Sequence, residues 1–203
     1  MSGCPEHQWE GKYRLQEGDT YVEAGAFWGR YGLIASKRVG PEGRVILIEG
    51  NPRNVSMIRQ VQKRYRLTNV EVVDGIVWGE DGETDFCVHG NPAGCRKAVS
   101  GDLENYPNDI IKVQAYKLDT LFEQLNVDTV NLLCCDVEGA EYEMVRGAEG
   151  YLKSKRILNV AIGAYHVPGM PAKIVSFLQS LGYHDVLYSG SIPQYGGVVF
   201  GHV

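Results

Sequence analysis

Several absences narrow the reading of this chain before any motif is considered. No apolar run in its 203 residues approaches the ~18 needed to cross a bilayer. The polar start MSGCPEHQWEGKYR has no apolar centre of the kind a secretory leader carries, so a cytoplasmic location without membrane attachment is expected. Cysteine is scarce, and its odd count of five suits a reducing compartment better than a disulfide framework. Cys87, His89 and Cys95, with Cys4 and His7 elsewhere, match no zinc spacing. Positive charge is in deficit, with 20 Lys and Arg against 25 Asp and Glu. That balance argues against a protein built to grip nucleic-acid phosphates. Internal repeats, low-complexity tracts and linkers are missing as well.

What is present is an alternation of strand-like and helix-like periodicity. Residues 20–24, 44–49, 69–75, 129–136 and 157–163 read as strands. Asn51 and Pro52 open a helix over 51–66 whose Val55, Ile58, Val61 and Tyr65 repeat at helical spacing. Pro171 and Gly182 bracket a second helix with a stripe of Ile174, Phe177, Leu178 and Leu181. The pattern predicts an α/β domain over 1–203, with a mostly parallel sheet covered on both faces and residues 1–17 as an extension. HDVLYSG and GGVVFGH, joined through Pro193, are expected to form an antiparallel hairpin at one edge. Residues 89–109 are polar and rich in turn formers, and are expected to be a lid or substrate loop.

The stretch DTYVEAGAFWGRYG is a strand that ends at Glu23, turns at Gly25 and Gly29, and feeds a helix. Ligands of open α/β sheets sit beyond such strand ends. The G-x-x-x-x-G-K-[ST] of a triphosphate loop is absent, and so is the G-x-G-x-x-G of a dinucleotide turn. Phe27 stands where the second glycine of that turn would fall, and Trp28 follows it. A ligand without phosphates fits better, and S-adenosylmethionine, with its cationic methionine end, ribose and adenine, is the one expected. Glu23, Glu49, Asp74 and Asp136 close four successive strands. Gly25, Ala26, Phe27 and Gly29 are assigned to the methionine end. Glu49, Gly50 and Asn51 are assigned to the ribose, Asp74, Gly75 and Ile76 to the adenine, and Asp136 to the amino group or the reacting centre.

These segments resemble the FkbM-type family of S-adenosylmethionine-dependent methyltransferases. VEAGAFWG, RVILIEGNPRN, VEVVDGIVW, KLDTL and CDVEGAEYEMVRGA carry the resemblance, which runs from about residue 18 to 185. It implies a seven-stranded class I methyltransferase sheet and O-methylation of hydroxyls on sugars or other small metabolites. The family's Asp-x-Gly-Ala-Asn reads here Glu23-Ala24-Gly25-Ala26-Phe27, and Gly163 stands where an acid often precedes the histidine, His166. A cofactor-binding module without catalysis, or a methyltransferase acting on RNA or protein, are the alternatives.

An alcohol acceptor must lose its proton during transfer. His166 is expected as the base, with Glu138 as its partner and Asp136 beside them; Glu141 is a further candidate. The expected reaction needs no metal. Asp136, Glu138 and His166 are also the set that would hold Mg²⁺ or Mn²⁺ if one were used. Trp28 and Tyr31 are candidate walls of the site, and Arg96, Lys97 and Tyr106 candidate selectors of the acceptor. Arg59, Lys63 and Arg66 read as a solvated helix face.

Overall fold

The computed structural model describes residues 13–189 and 197–203. The elements run β1 (Thr20–Ala24), α1 (Arg30–Val39), β2 (Arg44–Glu49), α2 (Pro52–Tyr65), β3 (Val70–Asp74), β4 (Ile76–Val77), β5 (Gly82–Cys87) and β6 (Arg96–Lys97). They continue α3 (Ser100–Asn105), β7 (Ile110–Tyr116), α4 (Leu118–Gln124), β8 (Leu132–Cys135), α5 (Glu141–Gly147) and α6 (Glu149–Lys153). The last four are β9 (Asn159–Gly163), α7 (Met170–Ser180), β10 (His184–Tyr188) and β11 (Val198–His202).

The main sheet has seven strands in the order β10-β11-β9-β8-β1-β2-β3. β3, β2, β1, β8 and β9 are mutually parallel, while β11 lies antiparallel between β9 and β10. The expected sheet and its hairpin are both observed; the residues that join the hairpin, Pro193 among them, lie outside the described ones, as do Cys4 and His7. The chain starts in the middle at β1, moves outward through β2 and β3, then returns to β8 on the other side. Strand order therefore reverses between β1 and β8, where a parallel sheet opens a crevice at its carboxyl edge.

Helices on both faces explain why β2, RVILIE, is apolar almost throughout instead of alternating. On one face Val22, Ile46, Ile48, Leu133 and Ile162 pack with Leu118, Met144, Leu152 and Ile174 from α4 to α7. On the other, Tyr21, Val45, Leu47, Leu132 and Ala161 pack with Ala35, Val39 and Ile58 of α1 and α2. Each fully buried Leu or Ile of this kind stabilises the fold by ~1.5–3 kcal/mol. Strand alternation puts Glu23 on the same face as Tyr21, a carboxylate beneath α1 that is only 5% exposed. α2 begins as expected, with the Asn51 side chain accepting the Arg53 N–H at 3.0 Å and Pro52 in its first turn.

Two features depart from the sequence expectations. A second sheet, in the order β4-β7-β5-β6, stands beside the carboxyl edge of the first. β4 and β6 have two residues each, too few to show a period, and β5 (GETDFC) buries only its last two positions. β7 (IIKVQAY) does alternate, burying Val113 and Ala115 and exposing Lys112 and Gln114. Residues 89–109 are also more ordered than their composition predicts. They hold β6, α3 and single 3-10 turns at Pro92–Gly94 and Pro107–Asp109. Among the described residues no helix is long and apolar enough to cross a membrane.

Candidate active site

The turn after β1 is shaped by contacts that only particular residues allow. Gly25 has φ +81°, and a Cβ built there would lie 2.0 Å from the carbonyl oxygen of Asp136. The β1 exit thus rests directly on the backbone of the β8 exit. The N–H groups of Gly25 and Ala26 both donate to the carbonyl of Ile48, at 3.0 and 3.1 Å. Phe27 is left-handed at φ 52°, an uncommon state for a bulky residue. Its N–H donates to Glu49 Oε2 at 2.8 Å, and its ring stacks on Trp28 with centroids 4.4 Å apart.

Glu49 is the hub that ties the first turn to the second. Besides Phe27, it accepts from the Asn51 N–H at 2.7 Å and from Asn54 Nδ2 at 3.3 Å. Burial raises its pKa, and the donors from Asn51, Phe27 and Asn54 oppose that rise. The Gly50 N–H adds a weaker contribution in the same direction as those donors.

Two clefts open along this edge. The narrower, ≈ 530 Å³ out to its mouth, runs between Glu49, Gly50 and Gly75 at the edge of the main sheet and Ile76, Phe86 and Cys95 in or beside the second. The wider, ≈ 1100 Å³, is lined by Glu23, Trp28, Arg30, Tyr31 and Tyr165. Gly25, Phe27, Ala93, Asp136 and Glu138 line both. The two spaces therefore meet along a shared rim at the strand-order reversal.

Not every expected residue reaches the clefts. Asp74 is exposed and sits 3.9 Å from Arg59, outside both linings, while Gly75 and Ile76 line the narrow cleft. Gly29 starts α1, and Asn51 caps α2 while its Nδ2 donates to Cys95 Sγ at 3.2 Å; neither lines a cleft. Arg96 and Lys97 line the narrow cleft, but Arg96 is paired with Asp102 and Lys97 lies 4.9 Å from the Trp78 ring. Tyr106 stacks on His89 at 3.6 Å and lines neither. Cys87, His89 and Cys95 form no grouping able to hold a metal among the described residues.

At the shared rim the loop after β8 folds around a buried carboxylate. Glu141, 0% exposed, accepts the N–H groups of Val137 at 3.3 Å and Gly139 at 3.1 Å. That clasp holds Glu138 at φ 52° and Gly139 at φ 99°. Glu141 Oε1 also meets His166 Nδ1 at 2.7 Å. The far nitrogen of the ring, Nε2, lies 3.5 Å from Asp136 Oδ1 and 3.4 Å from Glu138 Oε1. It is buried and has no aligned hydrogen-bond partner. The Tyr165 hydroxyl donates to both Asp136 oxygens, at 3.0 and 2.8 Å.

Burial alone would lower the His166 pKa, but Glu138, Glu141 and Asp136 overcome it and push it up to about 10. The three acids around it favour the protonated imidazole. Asp136 is pushed up to about 6 by burial, against the Tyr165 hydrogen bond and the His166 charge. Tyr165 went unnoticed in the sequence; its only signal is an aromatic ring beside a histidine at a strand exit. Phe86, Val77 and Cys95 were missed with the second sheet that carries or adjoins them.

Glu23 Oε2 is buried without a hydrogen-bond partner, and its pKa is raised well above 4.5, by burial first and then by the charges of Asp136 and Glu49. An acid with a raised folded pKa loses stability as pH climbs, because the unfolded chain ionises first. The loss begins above the ordinary value and steepens to ~1.4 kcal/mol per pH unit until the folded value is passed. Glu23→Gln removes that slope. Its melting temperature is expected to exceed that of the unsubstituted protein at pH 8 and to lose that margin at pH 4; parallel melting curves for the two proteins across this range contradict the expectation.

Comparison with known proteins agrees with this architecture. Residues 20–184 match the methyltransferase FkbM domain family. A probable cobalt-precorrin-6B C(15)-methyltransferase (decarboxylating) of Sulfolobus acidocaldarius is 31% identical over 64 residues, which is 32% of this chain and 33% of that one. The methyltransferase FkbM of Methylobacillus flagellatus superposes with a TM-score of 0.72 at 17% identity, over 97% of this chain and 47% of its own. Fibrillarin of Aeropyrum pernix, solved with natively bound S-adenosyl-L-methionine, gives 0.58 at 17% identity, over 95% of this chain and 70% of its own. The chain thus spans a third of the curated relative and about half of the FkbM structure. Because the family match covers β1 through the start of β10, including every strand end that frames the clefts, the chain belongs to the FkbM methyltransferase domain family.

Proposed function

We infer that the protein is an S-adenosylmethionine-dependent methyltransferase that O-methylates a hydroxyl on a small metabolite or sugar. The observation that carries this reading is the pair of clefts meeting at Gly25, Asp136 and Glu138. A two-substrate transfer needs two spaces that touch at one point.

The narrow cleft fits the donor. Glu49 lines it and can accept from a ribose hydroxyl, and Ile76, Val77 and Phe86 give an adenine an apolar wall. Asp136, on the rim shared by the two clefts, offers a carboxylate to an ammonium or a sulfonium that a phosphate would not tolerate. When bound, S-adenosylmethionine supplies a methyl group already activated on sulfur. The work left to the chain is alignment, exclusion of water and management of one proton.

The wide cleft fits the acceptor. Trp28, Tyr31 and Tyr165 present ring faces and edges, while the rim carries carboxylates that accept hydrogen bonds from hydroxyls. The acceptor's proton leaves toward Asp136 and Glu138, which His166 holds within 3.5 and 3.4 Å. This reading moves the base from the imidazole to the carboxylates around it.

The test is purified protein with methyl-labelled donor and a panel of glycosides, phenols and small amines. Label is expected on a hydroxyl-bearing member, with stoichiometric S-adenosylhomocysteine. Donor binding with no turnover on any member favours a non-catalytic module, and label on amines alone overturns the O-transfer part.

A further inference from the structure

We propose that Asp136, Glu138 and His166 form a divalent-cation site at the rim shared by the two clefts, with Glu141 orienting the imidazole. One ligand atom from each of the three lies within 4.8 Å of the others, and among the described residues no other His, Cys, Asp and Glu grouping does so. An octahedral cation with bonds of ~2.1 Å places neighbouring ligand atoms about 3.0 Å apart. The imidazole nitrogen stands 3.5 and 3.4 Å from the two carboxylate oxygens, so those two separations need to close by only a few tenths of an ångström.

The state of His166 Nε2 is a second observation pointing the same way. That nitrogen is buried, faces both carboxylates and makes no aligned hydrogen bond. Nδ1 is meanwhile committed to Glu141 at 2.7 Å. A carboxylate on one imidazole nitrogen fixes the tautomer and leaves the other nitrogen free to bind metal, the usual outer support of histidine ligands. The same Glu141 carboxylate clasps the loop that carries Glu138, so one buried acid positions two of the three ligands. Tyr165 takes part of the lone-pair capacity of Asp136 and leaves the rest for coordination.

Two carboxylates and one imidazole suit Mn²⁺ and Mg²⁺. Three protein ligands leave up to three octahedral positions, and Asp136 and Glu138 line both clefts. A hydroxyl of the acceptor bound there would be more acidic and would pass its proton to the Glu138 carboxylate oxygen that does not hold the ion; this last step rests on the functional reading above, while the site itself does not.

The experiment titrates the unsubstituted full chain with MnCl2 and follows the signal of free Mn²⁺ by electron paramagnetic resonance. One saturable ion per chain is expected. His166→Gln and Glu138→Gln should each weaken it by about tenfold or more, and Glu141→Gln, which removes no ligand, by about 10–100-fold. Asp128→Asn, an exposed acid far from the rim in sequence and paired with Arg156, should leave it unchanged. Should His166→Gln fail to fold, Glu138→Gln still tests the site, because Glu138 lies on a partly exposed loop. Absence of saturable binding up to millimolar Mn²⁺, or an affinity in the Glu138 and His166 variants equal to that of the unsubstituted protein, overturns the site. S-adenosylmethionine binding is measured on the same samples by calorimetry. Mn²⁺ binding without donor binding upholds the site and sinks the methyltransferase reading, whereas donor binding without Mn²⁺ sinks the site alone.

Discussion

Gly25→Ala should lower the melting temperature by about 5–15 °C and abolish measurable S-adenosylmethionine binding. A left-handed backbone costs an L-residue ~1–2 kcal/mol, and forcing a methyl group into a filled space typically costs ~1–3 kcal/mol. Their sum is ~2–5 kcal/mol, and for a chain of this size each kcal/mol moves the melting temperature by ~2–4 °C. The steric part is severe because the new Cβ would sit 2.0 Å from a backbone oxygen, that of Asp136, and 3.3 Å from Val137 Cγ1. Backbone cannot swing aside as a side chain does, so the exits of β1 and β8 must separate, and the shared rim separates with them. Gly18→Ala is the matched control. Gly18 has φ +87° and nothing within 4 Å of a built Cβ, so that variant bears the conformational cost alone. Identical melting curves and donor affinities for the two variants would show that the contact between the turns carries no weight.

Glu49→Ala should weaken donor binding by about a hundredfold or more. Hydrogen bonds to a charged group contribute ~1.5–3 kcal/mol each, and a factor of ten in affinity is ~1.4 kcal/mol. The substitution removes the bond available to a ribose hydroxyl. It also frees the Phe27 and Asn51 N–H groups that Glu49 holds at 2.8 and 2.7 Å. Loss of one ligand contact and loosening of both turns together account for ~3 kcal/mol or more at the donor. Folding stability is expected to suffer less. The carboxylate is desolvated, as its raised pKa records, so its removal returns part of the cost of burying it. Glu49→Gln keeps the shape but has one acceptor oxygen instead of two, and should fall between the two proteins. Calorimetric titration with donor decides the matter; an affinity within threefold of the unsubstituted protein would remove Glu49 from the donor site.

The main sheet was legible because its strands are long and buried on both faces. VILI in β2 and LLCC in β8 are runs that water would reject, and the acids at their ends mark where burial stops. The same logic brought Glu23, Glu49 and Asp136 to the clefts, since the carboxyl edge of a parallel sheet is set by strand direction alone. It did not bring Asp74 there, because β3 is the edge strand and its last side chain turns to solvent beside Arg59. The second sheet stayed hidden for a different reason. Two-residue strands have no period, and β5 is stabilised by pairing with β7 more than by its own apolar content. The convergence of Glu138, Glu141 and His166 depends on a left-handed residue and a side-chain clasp, neither of which leaves a trace in local pattern. Their residue types were readable; their distances were not.

The position of β11 bears on how the molecule is made. Residues 198–202 do not decorate an edge: they lie between β9 and β10 and hydrogen-bond to both. While a ribosome still holds them, β9 presents an open row of donors and acceptors and β10 has nothing to join. Nascent chains in that interval carry the kind of bare strand edge that invites pairing with a neighbour. Completion of the domain during synthesis therefore waits for one short, late-emerging segment, and chaperones that shield exposed edges would matter most in that window.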